Sequence, residues 1–99
     1  MNEREFQSDL IKEIKSRFKG CVVLKNDGTN APQGMPDLTI LYEDRWAALE
    51  CKRSNKASVR PNQKYYVDIL NGMSFSRFVT PENKEEVLDE MGKAFGLNR

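Results

Sequence analysis

Histidine is absent from the 99-residue chain. With it go the Ser-His-Asp triad, the Cys-His protease pair, His-ligated zinc and any imidazole general base. Catalysis here would have to run on carboxylates, lysine, tyrosine or a metal held by oxygen. Cysteine is scarce: Cys21 and Cys51 stand thirty residues apart with no CxxC spacing. They form neither a disulfide framework nor a zinc site, and they suit a reducing compartment. No apolar run approaches the roughly 18–20 residues of a membrane span. The start, Met1-Asn2-Glu3-Arg4-Glu5, lacks the apolar core of a signal peptide. A cytoplasmic protein with no membrane partner is therefore expected. A large excess of one charge is missing too: the net charge is +1, although 31% of residues are charged.

The distribution of charge says more than its sum. Residues 52–64 hold Lys52, Arg53, Lys56, Arg60 and Lys64 with no acid, while 82–90 hold Glu82, Glu85, Glu86, Asp89 and Glu90 against Lys84 alone. The basic stretch suits a polyanion; a solvated lysine-rich loop is the competing reading. The length fits a single domain over 1–99.

Phe6, Leu10, Ile14 and Phe18 recur every four residues and predict an amphipathic helix over 3–18, stopped by Gly20. Residues 21–24 are a short β-branched run, read as a strand. Residues 26–36 are an open loop rich in turn residues, long enough to suggest a binding role. Residues 37–42 and 45–52 read as a hairpin around Glu43-Asp44. A second helix begins at Arg60 or Pro61 and is expected to stop at Asn71-Gly72. Residues 75–79 form a fourth strand. Thr80-Pro81 is read as the cap and first turn of a last helix carrying Val87, Leu88, Met91 and Phe95. The order is α-β-β-β-α-β-α.

Chemistry concentrates in Gly34-Met35-Pro36-Asp37 and Glu50-Cys51-Lys52. Glu50 and Lys52 are two apart on one strand and share a face, with Cys51 turned to the other. A two-residue turn at 43–44 sets Asp37 opposite Glu50, their Cβ atoms about 5 Å apart. Leu38, Ile40, Tyr42, Ala47, Leu49 and Cys51 make the reverse face apolar. Two carboxylates so close repel one another, and a divalent cation relieves the repulsion. Oxygen donors without His or Cys favour Mg²⁺ or Mn²⁺. Lys52, one pleat further, would stabilise charge on a scissile phosphate or help orient the water. A lone Glu-x-Lys is nearly worthless as a signal. Its register with a Pro-Asp after a glycine-bearing loop is what gives it weight.

These residues resemble a PD-(D/E)xK nuclease and, within that superfamily, the small phage-type VRR-NUC group. Glu3, Phe6 and Leu10 resemble the group's first helix, and Gly20 and Lys25 fall where it gives way to the first strand. Gly34-Met35-Pro36-Asp37 resembles its Gly-x-Pro-Asp motif, and Glu50-Cys51-Lys52 its Glu-x-Lys motif. Ser58 and Gln63 resemble a Ser…Gln signature, and Leu70-Asn71-Gly72 a Leu-x-Gly end. The resemblance implies an α/β (α+β) fold, a restriction-endonuclease-like αβββαβ core with a mixed sheet flanked by helices and an extra C-terminal helix. It implies metal-dependent phosphodiester hydrolysis, with Mg²⁺ or Mn²⁺ bound by Asp37, Glu50 and the Cys51 carbonyl, and Lys52 as catalytic lysine. Gln63 would line the site, and Glu3 would reach in from the first helix. Glu13 shares that helix's inward side and is the rival acid, with Glu5 and Asp9 weaker ones.

On this reading Lys25, Arg53, Lys56, Arg60 and Lys64 track phosphates. Trp46, Tyr65 and Tyr66 are expected as packing residues rather than base-stacking ones. The expected activity is a DNA endonuclease, selective for branched DNA as in Holliday-junction resolvases and acting as a homodimer. The rivals are a nickase or end-processing nuclease, a non-catalytic nucleic-acid-binding module, and a small adaptor docking a basic partner through its acidic last helix.

Overall fold

A computed structural model describes residues 1–97. The elements run α1 (Glu3–Arg17), β1 (Val22–Lys25), β2 (Leu38–Tyr42), β3 (Arg45–Cys51), α2 (Pro61–Met73), β4 (Phe75–Val79) and α3 (Lys84–Ala94). The strands form one sheet in the order β1-β2-β3-β4. β2 lies antiparallel to both β1 and β3, and β4 lies parallel to β3 after the α2 crossover. The sheet is mixed and the architecture α+β, as expected. No helix among the described residues is long and apolar enough to cross a membrane.

The four-residue repeat in α1 buries Phe6, Leu10 and Ile14, and Phe18 is buried at the C-cap. They meet Leu38, Ile40, Ala47, Leu49 and Cys51 from the sheet and Val87, Leu88, Met91 and Phe95 from the last segment. Each large aliphatic side chain buried there contributes about 1.5–3 kcal/mol. The N-terminus of α1 is held by a reciprocal capping box. Asn2 Oδ1 accepts the Glu5 N–H at 2.8 Å, and Glu5 Oε1 accepts the Asn2 N–H at 3.0 Å. That motif satisfies donors a helix end otherwise leaves to water, and it orders the turn that carries Glu3.

The hairpin has the expected register, Leu38 against Leu49 and Tyr42 against Arg45. Its turn uses a residue with no special freedom: Glu43 has φ +56°, where hairpins usually place Asn or Gly.

Element ends differ from the sequence expectations in places, each for a local reason. Asp37 precedes β2 rather than opening it, and Lys52 follows β3 rather than closing it. Both still sit in the ladder's extension, because side chain and neighbour supply the bonds: Asp37 Oδ2 accepts the Cys51 N–H at 2.9 Å, and the Lys52 N–H donates to Val79 O at 2.9 Å. Strand β1 begins at Val22, since the Cys21 N–H turns back to Phe18 O. Asn71-Gly72 does not stop α2, which continues to Met73; Asn71 Oδ1 instead accepts the Ser76 N–H at 3.1 Å and braces β4. Thr80-Pro81 does not cap α3. Thr80 and Asn83 bond each other across a turn, and the helix begins at Lys84.

Candidate active site

Helices α1 and α3 cover one face of the sheet, and α2 lies across part of the other. The candidate site is on the α2 side, at the end of β2 and β3 where Asp37, Glu50 and Lys52 come together.

Glu50 projects between sheet and helix and is only 4% exposed. Its Oε2 accepts the Gln63 Nε2–H at 2.9 Å, and Lys52 Nζ lies 4.0 Å away. Its Oε1 is buried with no hydrogen-bond partner. Gln63 uses both ends of its amide. Its Oε1 accepts from Lys52 Nζ at 2.7 Å and from the Arg60 N–H at 3.0 Å. The second bond is half of a capping box at the start of α2, so the helix end itself orients the amide. An Oε1 turned to an ammonium and an Nε2 turned to a carboxylate match each partner's chemistry.

Burial pushes the Glu50 carboxyl up to about 7; the Asp37 charge and Glu3 add to the rise, and Lys52 opposes it. Asp37 is raised as well, chiefly by burial, against the Cys51 N–H and the Lys52 charge. Burial likewise raises the Cys51 thiol, which belongs to the core on the reverse face and offers no sulfur ligand here.

A divalent cation fits this donor set. Two carboxylates repel, one carboxylate oxygen is buried without a partner, and neither imidazole nor thiolate is at hand. Within a strand a residue's N–H and C=O point to the same side. The Cys51 N–H bonds Asp37, so the Cys51 carbonyl is turned the same way, beyond the end of β2. Among the described residues no three of His, Cys, Asp and Glu gather as a metal-binding group. The protein would thus supply two carboxylates and a carbonyl and leave the rest to water, the habit of Mg²⁺.

Two clefts meet at this point. One, of about 520 Å³, runs under the 26–36 loop and is lined by Asn26, Gly34, Asp37, Glu50 and Gln63. The other, of about 380 Å³, is lined by Glu3, Asp37, Glu50, Lys52, Arg53, Ser58, Arg60 and Gln63. The loop is pinned where it crosses α2. Gly34 has φ +99°, and a Cβ there would lie 2.8–2.9 Å from Asn62; the Asn62 amide donates to Gln33 O at 3.3 Å.

Of the candidate acids on α1, Glu3 borders the second cleft. Glu13 is drawn to the other side of the molecule, 2.8 Å from Lys84, and the hydrogen bond from that ammonium lowers its carboxyl pKa. Glu5 is used in the helix cap. Asp9 lies by Lys84 and Pro81. Of the basic residues, Arg53 and Arg60 line the cleft, and Lys56 is exposed on the same 53–60 loop. Lys25 is not brought to the site: it ends β1 opposite Leu38, so strand alternation turns its exposed side chain to the reverse face of the sheet. Lys64 is not brought to the site: it pairs with Asp68 at 2.7 Å and borders a separate groove beside β4.

Two asparagines that sequence reasoning passed over shape the surroundings. Asn26 donates to the carbonyls of Met35 and Pro36, tying the loop's start to the motif that presents Asp37. Asn55 accepts from the Thr80 hydroxyl at 2.6 Å and anchors the 53–60 loop to the end of β4. Nothing but their place at loop boundaries marked them. The acidic last helix is engaged internally: Glu85 and Asp89 face Arg17, and Glu90 pairs with Arg77. That weakens the adaptor reading.

No protein-family model and no curated protein matches the chain. A search of solved structures returns a protein described as a VRR_NUC domain. The two superpose with TM-score 0.58 at 21% identity, over 83% of this chain and 92% of the other. An identity this low speaks for the fold, and the fold it shows is that of the VRR-NUC group: the chain is a VRR-NUC-like domain in architecture.

Proposed function

We propose that the protein is a divalent-metal-dependent deoxyribonuclease that hydrolyses phosphodiester bonds, prefers branched DNA and acts in the cytoplasm as a homodimer. One observation carries the reading. A buried, hydrogen-bonded Glu50 with one unpartnered oxygen stands beside Asp37 and Lys52 where two clefts meet.

Asp37, Glu50 and the Cys51 carbonyl would hold Mg²⁺ or Mn²⁺, which would supply Lewis acidity at the phosphate and lower the pKa of water. The chain's own residues do the rest. Lys52, held by Gln63, presents its ammonium to the scissile phosphate and stabilises the charge that grows as water attacks in line. Gln63 positions Lys52 and Glu50 together. Glu3 borders the same cleft and orients the attacking water. Arg53 and Arg60 bind backbone phosphates and set the strand's path, with Lys56 at the margin.

The test is cleavage of four-way, flapped, nicked and linear DNA with Mg²⁺ or Mn²⁺. Lys52→Ala and Glu50→Gln are expected to abolish cutting and leave metal-free DNA binding largely intact. Glu3→Gln should slow cutting, and Glu13→Gln should not. Unchanged turnover in either of the first two variants overturns the mechanism. Linear duplex cut as fast as the four-way form removes the junction preference and favours a nickase or end-processing enzyme.

A further inference from the structure

The two clefts that meet at the candidate site are lined with opposite chemistry. The one beside the 53–60 loop carries Lys52, Arg53 and Arg60. The one under the 26–36 loop, about 520 Å³, carries the carboxylates of Asp27, Asp37 and Glu50 and, among the described residues, no ammonium or guanidinium. From Asn26 to Pro36 the sequence contains neither lysine nor arginine. Asp27 stays charged: its Oδ1 accepts the Thr29 N–H at 3.0 Å and the Thr29 hydroxyl at 2.7 Å, which hold its carboxyl below the usual range. Asp37, Glu50 and Gln63 line both clefts. A phosphate seated by Lys52 therefore has a cationic side and a side without a cation. Every further phosphate brings a negative charge, and the second side has nothing to neutralise it.

What that side does offer suits a neutral ring. Ala31, Pro32 and Met35 give it apolar surface, and a methionine thioether packs favourably against an aromatic ring. Gln33 lines the same cleft, exposed, and its side chain makes no hydrogen bond among the described residues. Its amide both donates and accepts, as the edge of a base does. The walls are set before anything binds. The Gly28 N–H donates to Asn26 Oδ1 at 2.9 Å, the Met35 N–H to Pro32 O at 3.3 Å, and the Asn62 amide to Gln33 O at 3.3 Å. A cleft already held in shape loses less freedom on binding. Its volume lies within the roughly 300–1,000 Å³ of small-ligand clefts, the scale of one nucleoside.

We infer that the 26–36 cleft is a subsite for one unpaired nucleobase, that of the nucleotide next to the scissile phosphate. The inference rests on the nuclease reading and narrows its substrate: the bond cut adjoins a nucleotide that has left its stack. Taking a base out of a duplex is costly, and least so where the base is mismatched or already single-stranded. A branch point, a flap or a single strand therefore fills the cleft more readily than a continuous duplex. The phosphates on the other side follow Arg53 and Arg60. A second backbone phosphate is the competing occupant of the loop cleft, and the Asp27 charge opposes it.

Equilibrium binding to the full chain in EDTA, where nothing is cut, tests the subsite. The probes are a single-stranded oligothymidylate and an abasic oligomer of the same length and charge. The oligothymidylate is expected to bind about tenfold tighter, the usual worth of one base contact. Gln33→Ala and Met35→Ala should each remove most of that preference and leave binding of the abasic oligomer unchanged. Arg60→Ala should weaken both probes alike. Gln33 is exposed, so its variant decides the matter if Met35→Ala does not fold. Equal binding of the two probes, or binding of neither, overturns the inference. So does a preference that the loop variants retain, which places the base elsewhere. Loop variants that weaken both probes alike put a phosphate in the cleft and overturn it too. The nuclease reading is decided separately, by cleavage with Mg²⁺ or Mn²⁺, so a chain that cuts without preferring bases sinks the subsite alone.

Discussion

The Gln63 amide donates to Glu50 Oε2 at 2.9 Å and leaves Glu50 Oε1 buried without a partner. With its own oxygen on the Lys52 ammonium, Gln63 links the acid to the lysine, and under the proposed reading it positions both. Gln63→Ala should therefore lower kcat by about 10–100-fold, the usual effect of losing a hydrogen-bonded support. KM for DNA should change little, because Arg53 and Arg60 remain. Steady-state kinetics across a Mg²⁺ titration checks this; a change confined to KM would place Gln63 in substrate binding instead.

The raised Glu50 carboxyl links stability to pH. Its ordinary value of 4.5 moves to about 7 in the fold, so between these values the folded chain holds a proton the unfolded chain releases. The stabilisation is complete below about 4.5 and is lost as pH rises through about 7, by at most about 3 kcal/mol. Asp37 shifts in the same direction. Metal-free protein should therefore show a higher urea midpoint at pH 5 than at pH 8. Glu50→Gln should flatten the dependence, and Mg²⁺ should restore stability at pH 8 by binding the folded chain alone. Wild-type stability that rises steadily from pH 5 to 8 would falsify the burial argument.

Gly34 has little room for replacement. Its φ is +99°, and an added Cβ would meet Asn62 backbone and side chain inside van der Waals distance. Gly34→Ala should cost about 1–3 kcal/mol in strain or displace the loop from α2. Since that loop leads into Asp37, cleavage should fall further than the urea midpoint alone accounts for.

The basic residues should separate by position. Arg53→Ala and Arg60→Ala, both in the cleft, should each weaken DNA binding and lower its salt slope by about one counterion. Lys64→Ala should do neither, because Lys64 pairs with Asp68 away from the site. Binding isotherms at several salt concentrations distinguish the two sets.

Much of this was legible in the chain because the signals are local and periodic. The four-residue repeat of Phe6, Leu10, Ile14 and Phe18 marked α1. The alternation in 37–52 set the hairpin register, since a slip of one residue would have turned Leu38, Ile40 and Leu49 to the wrong face. That register alone put Asp37 beside Glu50. The ends of α2 and α3 were misread for the opposite reason. Asn71 and Thr80 look like stop and cap residues, yet the Asn71 side chain bonds Ser76 across the turn into β4, and the Thr80 side chain is divided between Asn83, three residues on, and Asn55, a partner that only packing supplies.

Residue types and spacing by themselves determined the α+β order, the apolar face of the hairpin, the exclusion of imidazole and thiolate chemistry, and the acid–acid–lysine set of Asp37, Glu50 and Lys52. Tertiary structure decided which distant groups join that set. It brought Gln63 and Glu3 in, paired Glu13 with Lys84, and braced β4 with Asn71. The physical reason is one of range. Period and register follow from bonds between near neighbours in sequence, whereas the partner of a charged or amide side chain is chosen by whichever helix or loop the core packs against it.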